Sequence, residues 1–243
     1  MDQVLDYADD RLIDGCIYCG DLAETRDHVP SRILLEPPYP ENLPVVGACK
    51  ECNQGFSSDE QYFVCLLESA LVGSTNPDKI RRPSVARAMK RAPALRSRIE
   101  LAKRNAGSQT IFDPEEERVR NVILKLARGH AAFELSQACR EEPNHFLCCP
   151  TSMIDDYDTF EAAHIQSLVG EVGSRNMQRM KVMEAKIMSL SGKETVQNVI
   201  VNDWINVQEG YYHYLAVHDM EYIMIRIVIA NYLACEVIWE TDT

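Results

Sequence analysis

The chain has 243 residues, of which 46% are hydrophobic and 26% are charged, a composition typical of a soluble globular protein with one large domain or two small ones. No apolar run is long enough to cross a membrane, and the acidic N-terminus lacks the basic start and apolar core of a secretory signal, so we expect a cytoplasmic protein. The formal net charge of −12 argues against a nucleic-acid partner unless the basic residues are concentrated in one region.

The first part of the chain combines an irregular segment with a helix. Residues 1–13 predict a short helix or a loose arm. Residues 14–60 are rich in Cys, Pro and Gly and have little periodic pattern, which is typical of a segment that needs a metal ion to fold. From about Ser57 apolar residues recur at helical spacing, and the sequence GSTNP at 73–77 ends that helix.

Basic residues are concentrated in residues 79–104, which contain ten Lys or Arg and one Glu. Pro83 and Pro93 predict that this segment is helical in pieces. A basic stripe on an otherwise acidic chain indicates a local anion site, although a solvated helix face would have the same composition. The candidate substrate contacts within the stripe are Arg81, Arg82, Lys90 and Arg91.

The second half of the chain changes from helical to strand periodicity. Asp113 and Pro114 predict the start of a core helix that runs to about Ala138, and residues 159–190 predict one or two further helices. The predicted strands that follow are Val199–Val207, Tyr211–Val217, Tyr222–Ile229 and Leu233–Trp239. Their short connectors favour antiparallel pairing, with the nearly apolar third strand at the centre.

We therefore predict an α+β fold with three regions. Residues 1–75 form a zinc-stabilised module, and residues 76–150 form a helical region that carries the basic segment. Residues 151–243 form an α+β domain that ends in an antiparallel sheet of about four strands. An exposed edge of that sheet could pair two copies of the chain, so a homodimer is compatible with the sequence.

Four of the nine cysteines form two C-x-x-C pairs. Cys16 and Cys19 precede Gly20 in a knuckle-type turn, and Cys49 and Cys52 open a helix thirty positions later. Four thiolates fit tetrahedral Zn²⁺ and leave no open coordination position, so the predicted site is structural. The other five cysteines lie in mostly apolar surroundings and are interpreted as small buried residues.

Three residues near the cysteines have the chemistry of a hydrolytic site. The Asp27 carboxylate and the Asn53 side-chain oxygen are hard ligands that suit Mg²⁺ or Mn²⁺. His28 could take a proton from water near neutral pH. Adjacent residues on a regular strand face opposite sides, so Asp27 and His28 can serve one site only if the chain leaves the strand there, which Pro30 favours.

The order C-x-x-C, DH and C-x-x-C-N resembles the four-cysteine branch of the HNH endonuclease superfamily and is similar to the recombination endonuclease VII family. The resemblance covers residues 14–65 and implies a ββα-metal, treble-clef-like module that cuts nucleic acid, with DNA as the expected substrate. It implies that Asp27 and Asn53 hold the catalytic cation, that His28 is the general base and that Asn42 orients the base.

Several nearby residues leave alternatives open. Many members of that superfamily carry a further His or Lys after the last cysteine, where this chain has Asp59 and Glu60, so these acids either add a cation ligand or begin a helix. Arg26 and Arg32 flank the predicted base and either grip a substrate phosphate or lie in a charged surface loop.

Two other functions would use part of the same features. A non-catalytic zinc-dependent module that binds nucleic acid would need the cysteines and the basic segment, but not the Asp-His-Asn set. A partner-recruiting protein would depend on the acidic C-terminal region. His28 is the residue that distinguishes these hypotheses, while the biological setting, with genome defence as one candidate, stays open.

Overall fold

The structure, a computed structural model, describes residues 4–8, 13–106, 109–188 and 194–241. Its strands are β1 (Thr25–His28), β2 (Val45–Ala48), β3 (Lys103–Ala106), β4 (Gln109–Phe112), β5 (His145–Pro150), β6 (His164–Gln166), β7 (Lys181–Met188), β8 (Glu194–Asn202), β9 (Ile205–Gln208), β10 (Tyr212–Asp219), β11 (Tyr222–Ile229) and β12 (Leu233–Glu240). Its helices are α1 (Lys50–Gly55), α2 (Ser57–Val72), α3 (Pro83–Arg91), α4 (Pro93–Leu101), α5 (Glu116–Leu135), α6 (Tyr157–Glu161) and α7 (Arg175–Arg179). The pairs among these strands are antiparallel, so the predicted α+β class is confirmed.

The two C-x-x-C pairs lie around a short strand pair and a helix. β1 pairs with β2 so that Thr25 lies opposite Ala48 and His28 lies opposite Val45. Cys49 follows β2 directly and caps α1, because its sulfur accepts a hydrogen bond from the backbone N–H of Cys52 at 3.4 Å. The second cysteine pair therefore opens a helix, as its position in the sequence predicts.

The helical segments agree closely with their sequence signals. α2 ends where Gly73 takes a left-handed conformation with φ of 63°, which a residue without a Cβ adopts at little cost. α3 and α4 each begin with a proline, as predicted for the basic segment. α5 begins two residues later than Pro114, and Asp113 is ion-paired with Arg104 of β3 instead of capping the helix.

The largest sheet has the strand order β5-β12-β11-β10-β9. β11 lies at its centre and is paired along its whole length with both neighbours, which confirms the prediction for the third strand. β5 at one edge was not predicted, because its sequence HFLCCP follows an acidic turn and is too short for a clear alternating pattern.

The prediction of helices over residues 159–190 is wrong for much of that segment. α6 and α7 have five residues each, whereas β7 is a strand that pairs with β8 over eight residues. The sequence of β7, KVMEAKIM, contains residues that favour helices, so the cross-strand pairing outweighs its local propensity. The strand predicted at Val199–Val207 is divided between β8 and β9, which lie in different sheets.

One hydrophobic cluster draws residues from all three predicted regions. Its members include Leu34, Phe63, Ile123, Ile225 and Trp239. α5 contacts α2 as well as β10, β11 and β12, so it connects the helices with the large sheet. Each fully buried Leu or Ile contributes about 1.5–3 kcal/mol of transfer free energy, which makes this cluster the main source of stability.

α5 also packs against the cysteine-containing segment. A second cluster joins Ile17, Val29 and Val46 to Phe133 of α5. A Cβ at Gly129 would lie 2.5 Å from a methyl group of Val29, so the absence of a side chain there allows the close approach. The segment after β1 is thereby fixed to the main body of the fold.

The described part of the predicted N-terminal arm, residues 4–8, has no regular secondary structure. Its Asp6 carboxylate pairs with Arg175 at 2.9 Å and accepts hydrogen bonds from Ser136. The rest of residues 1–13, apart from Ile13, lies outside the described residues. Within the described ranges, none of the helices combines the length and the apolar character needed to cross a membrane.

Candidate active site beside a four-cysteine centre

The four cysteines of the two C-x-x-C pairs converge on one point. The Sγ atoms of Cys16, Cys19, Cys49 and Cys52 all lie within 4.8 Å of one another, and those of Cys19 and Cys49 are 3.7 Å apart. Zn–S bonds of about 2.3 Å in a tetrahedron place the sulfurs about 3.8 Å apart, so the four thiols fit a zinc ion. Among the described residues, no other group of three or more His, Cys, Asp or Glu ligands is close enough to share an ion.

The first cysteine pair is held by a tight turn. The backbone N–H of Gly20 donates to the Cys16 carbonyl at 2.8 Å, and Gly20 has a φ of 91°, in the region that favours glycine. Arg140 donates to the carbonyl oxygens of Asp14 at 3.0 Å and Cys16 at 3.2 Å. The turn is therefore fixed both by its own backbone and by the segment after α5.

The surroundings of Cys16 favour the thiolate that a metal ion requires. Burial raises the pKa of this thiol, but backbone hydrogen bonds from Cys49, Cys19 and Tyr18 outweigh that effect and lower the pKa to about 7. These N–H groups favour the thiolate of Cys16, whereas the pKa of Cys19 is raised to about 11 and burial raises the pKa of Cys52, so those two thiols would release their protons only on binding a metal ion.

His28 lies at the end of β1 with a half-buried side chain. Burial lowers the pKa of His28 and the Arg32 cation lowers it further, while the Asp27 carboxylate acts in the opposite direction. The imidazole is therefore neutral at pH 7, and none of the described residues forms a hydrogen bond with it. A neutral, unbonded imidazole has the lone pair that a general base needs.

Asp27 is turned into the protein and is 6% exposed, on the strand face opposite to His28. Its carboxylate accepts a hydrogen bond from the Tyr18 hydroxyl at 2.8 Å and lies 3.0 Å from the Lys125 ammonium. Lys125, on α5, is 2% exposed and also contacts Glu60 and, at 2.7 Å, the Ser31 hydroxyl. We call Asp27, Glu60 and Lys125, with Ser31 and Tyr18, the Lys125 network.

The sequence contains a signal for the Lys125 network that our prediction did not use. Lys125 interrupts the apolar run VILKLA at 122–127 within a predicted core helix. A lysine at a buried helical position requires a carboxylate partner, because an unpaired buried charge is costly. The sequence does not say which carboxylate that is, since Asp27 and Glu60 are distant along the chain.

One of the two residues predicted to hold a catalytic cation, Asp27, is committed to a buried ion pair. Asp27 is already neutralised by Lys125, and a second cation beside the same buried carboxylate would be repelled by the ammonium. The Asn53 amide donates to Thr25 Oγ1 at 3.0 Å and to the Arg26 carbonyl at 3.4 Å, which ties α1 to β1. These contacts use the amide nitrogen, and the role of the side-chain oxygen as a cation ligand stays a prediction.

The acids after the last cysteine both lie in the first turn of α2, in agreement with the prediction that they begin a helix. Asp59 pairs with Arg118 at 2.6 Å and accepts a hydrogen bond from Asn121 at 3.2 Å. Glu60 belongs to the Lys125 network. Asn42 lies exposed in the turn before β2, and its role toward His28 stays a prediction.

The predicted phosphate contacts divide into exposed and buried residues. Arg26, Arg32, Arg81, Lys90 and Arg91 are exposed. Lys90 pairs with Asp78 at 2.8 Å, and the Arg32 guanidinium lies 5.9 Å from the ring centre of Tyr39. Their contact with a phosphate stays a prediction.

The prediction that Arg82 contacts the substrate is corrected by the position of its side chain. It is 3% exposed and donates to the carbonyl oxygens of Ile33, at 2.9 Å, and Leu35. It also donates to the Tyr211 hydroxyl at 3.1 Å and lies 3.1 Å from the Glu36 carboxylate. Its guanidinium is therefore used to fix the loop after β1, and it is not available to a phosphate.

The basic segment is partly neutralised by its own surroundings. Four of its cations have carboxylate partners within 4.0 Å, namely Lys90, Arg98, Lys103 and Arg104. Five exposed cations have no such partner among the residues that the structure describes, namely Lys79, Arg81, Arg87, Arg91 and Arg96. The segment thus retains positive charge on its surface, on α3, α4 and the turn before them.

Comparison of the chain with known proteins does not identify a relative. Neither the models of protein families, nor the curated proteins, nor the solved structures contain a match to this chain.

Proposed function

We propose that this protein hydrolyses phosphodiester bonds in nucleic acid, with DNA as the expected substrate and His28 as the general base. The observation that carries the proposal is the position of His28, half-buried on a strand next to the four-cysteine centre, with an imidazole that forms no hydrogen bond with the described residues and whose pKa is lowered by burial. We also propose that β1, β2 and α1 form the ββα-metal module implied by the HNH resemblance. In that pattern the general base occupies the position that His28 has here.

The chemistry assigned to this chain is the removal of a proton from water, coupled to displacement at phosphorus. His28 takes a proton from water, the water oxygen forms a bond to phosphorus, and the P–O ester bond breaks. The leaving oxygen is protonated from solvent. Arg26 lies on the same strand as His28, and the Arg32 cation is close enough to lower the pKa of His28. These two side chains would bind the phosphate oxygens.

Zinc at the four cysteines would have a structural part in this mechanism. A tetrathiolate site has no open position for water or substrate, so zinc would fix the relation of β1, β2 and α1. The Mg²⁺ or Mn²⁺ requirement implied by the HNH resemblance is left to experiment, because Lys125 already neutralises Asp27.

The direct test is incubation of the full chain with plasmid, linear and single-stranded DNA and with RNA, with Mg²⁺, with Mn²⁺ and with chelator. We expect cleavage by the wild type and a loss of about 10²- to 10⁴-fold in His28→Ala. Zinc content and melting temperature should be the same in both proteins. His145→Ala is the matched control, because the His145 side chain is 50% exposed and lies on β5.

Equal cleavage by wild type and His28→Ala would remove His28 from the mechanism. Cleavage that persists in chelator, with zinc still bound, would show that hydrolysis needs no second cation.

A non-catalytic zinc-dependent module that binds nucleic acid is the second candidate. The contact between Asp27 and Lys125 favours it, since the carboxylate is committed to the buried structure. This function predicts a DNA complex whose affinity falls steeply with salt and which forms equally well in His28→Ala, without cleavage under any metal condition.

A further inference from the structure

The hairpin of β7 and β8 extends from the rest of the fold with little cover. β6 pairs with β8 only over Ile200–Asn202, so the hairpin is two-stranded from Met183 of β7 onward. A two-stranded hairpin is at best marginally stable in water by itself. A further strand paired with this hairpin would therefore stabilise it.

Apolar side chains are exposed on both faces of this hairpin. Val182 is 71% exposed and Met183 is 52% exposed, and consecutive residues of a strand point to opposite faces. Met188 at 73% and Val196 at 59% add to the exposed apolar surface. Exposed Glu184 and Lys186 lie on the same face as Val182 and Met188, so a protein partner of this surface would have to match both apolar and charged side chains.

β7 is also an open edge. The strand order β6-β8-β7 places it at the border of its sheet, and among the described residues no strand pairs with its outer side. An edge strand presents unpaired N–H and C=O groups that another strand can satisfy. The partner must therefore supply a strand as well as apolar side chains.

We propose that β7 pairs antiparallel with β7 of a second copy of this chain, with the two-fold axis at Ala185. In this register Glu184 lies opposite Lys186 of the second copy, and the symmetry repeats that pair. Val182 lies opposite Met188 of the second copy. Opposite charges and apolar residues thus face their complements across the axis.

Neighbouring registers lose this complementarity. An axis at Glu184 places Val182 opposite Lys186, and an axis at Lys186 places Glu184 opposite Met188. The sequence of β7 therefore selects one self-complementary register. The contact differs from the dimer suggested by the sequence, because it uses the three-stranded sheet and not the large C-terminal one.

The first test is the association of the full chain measured by analytical ultracentrifugation over a wide concentration range. We expect a monomer–dimer equilibrium for the wild type. Glu184→Lys and Lys186→Glu should each weaken the dimer by about 10-fold or more, because each creates two like-charge contacts by symmetry. The double variant Glu184→Lys/Lys186→Glu should recover most of the affinity. Glu209→Lys, an exposed charge reversal in the turn between β9 and β10, is the matched control and should not change it.

The second test examines the register by cross-linking under mild oxidation with glutathione disulfide. Ala185→Cys should form a covalent dimer that a reducing agent dissolves, because the two introduced thiols lie directly opposite each other. Val182→Cys lies opposite Met188 and should not exceed the background of the wild type. These measurements are independent of any role of His28 in hydrolysis.

A wild type that stays monomeric throughout, without a cross-link in Ala185→Cys, overturns the proposal. A dimer that neither charge reversal affects places the contact on another surface and also overturns it. A monomer whose hairpin is protected only when DNA is added would make the hairpin a nucleic-acid contact instead.

Discussion

Basic side chains on α5 and on α3 carry the same charge in opposite environments. The Lys125 side chain on α5 is 2% exposed and is neutralised by Asp27 and Glu60. The Lys90 side chain on α3 is 59% exposed and has the exposed partner Asp78. A buried pair that loses one member leaves an uncompensated charge, whereas an exposed pair contributes about 0–1 kcal/mol. Burial therefore decides which charges are structural and which are available to a ligand.

Lys125→Met gives the sharpest test of this difference. It leaves Asp27 and Glu60 buried without their cation, so we expect a loss of about 3–5 kcal/mol in the free energy of unfolding. Lys90→Met should lose less than about 1 kcal/mol. Urea denaturation of both variants at pH 7 measures the two losses, and equal losses would contradict the comparison.

Gly129→Ala tests the contact of α5 with the segment after β1. The new methyl group would lie 2.5 Å and 2.8 Å from the two methyl groups of Val29, so we expect a loss of about 1–3 kcal/mol in stability. Gly55→Ala in α1 is the control, because no heavy atom beyond its chain neighbours and its own helix backbone lies within 4 Å of the new Cβ. Part of the stability should return in Gly129→Ala/Val29→Ala, and a double variant weaker than both single variants would refute the steric explanation.

His130 on α5 predicts a pH dependence of stability. Burial lowers the pKa of this imidazole to about 3, and it stacks on Tyr214 with ring centres 3.7 Å apart. The unfolded chain binds a proton below about pH 6.5 that the folded chain does not bind, so stability is lost as the pH falls from about 6.5 towards 3. The expected contribution is about 1.4 kcal/mol per pH unit in that window.

The measurement is the free energy of unfolding at several pH values for the wild type and for His130→Asn. The variant should be less stable at pH 7 but should show a shallower decline towards acid. Parallel pH profiles would mean that other groups cause the decline.

The exposed basic segment gives the smallest expected effect on stability. Arg81→Ala/Arg91→Ala should change the free energy of unfolding by no more than about 0.5 kcal/mol. If both residues contact phosphate, the double variant should bind DNA more weakly and the slope of log affinity against log salt should fall by about one per contact. Unchanged affinity and slope would identify the segment as a solvated helix face.

Local signals predicted much of the secondary structure and the four-cysteine cluster. The two C-x-x-C pairs predict the four-cysteine centre, because two pairs of thiols at this spacing are typical of a tetrahedral metal site. Pro83 and Pro93 mark the helices of the basic segment, since proline is favoured at the first helical position. The apolar run in β11 predicts the centre of the large sheet.

The buried charges could not be assigned from local signals. Asp27 was predicted to hold a cation. It lies on β1, and its carboxylate pairs instead with Lys125, which comes from a helix far along the chain. Arg82 was grouped with surface cations because its neighbours are basic, yet it is the one that turns inward to the carbonyl groups of residues 33 and 35. Composition identifies a basic segment but not the orientation of each side chain.

The sequence by itself determined the two C-x-x-C turns, the main helices and the strands β10 to β12, since these depend on residues close together in the chain. Tertiary structure decided that β7 is a strand, that Asp27 pairs with Lys125 and that Arg82 is buried. Each of these depends on a contact between distant residues, whose free energy outweighs the local preference of the residues involved.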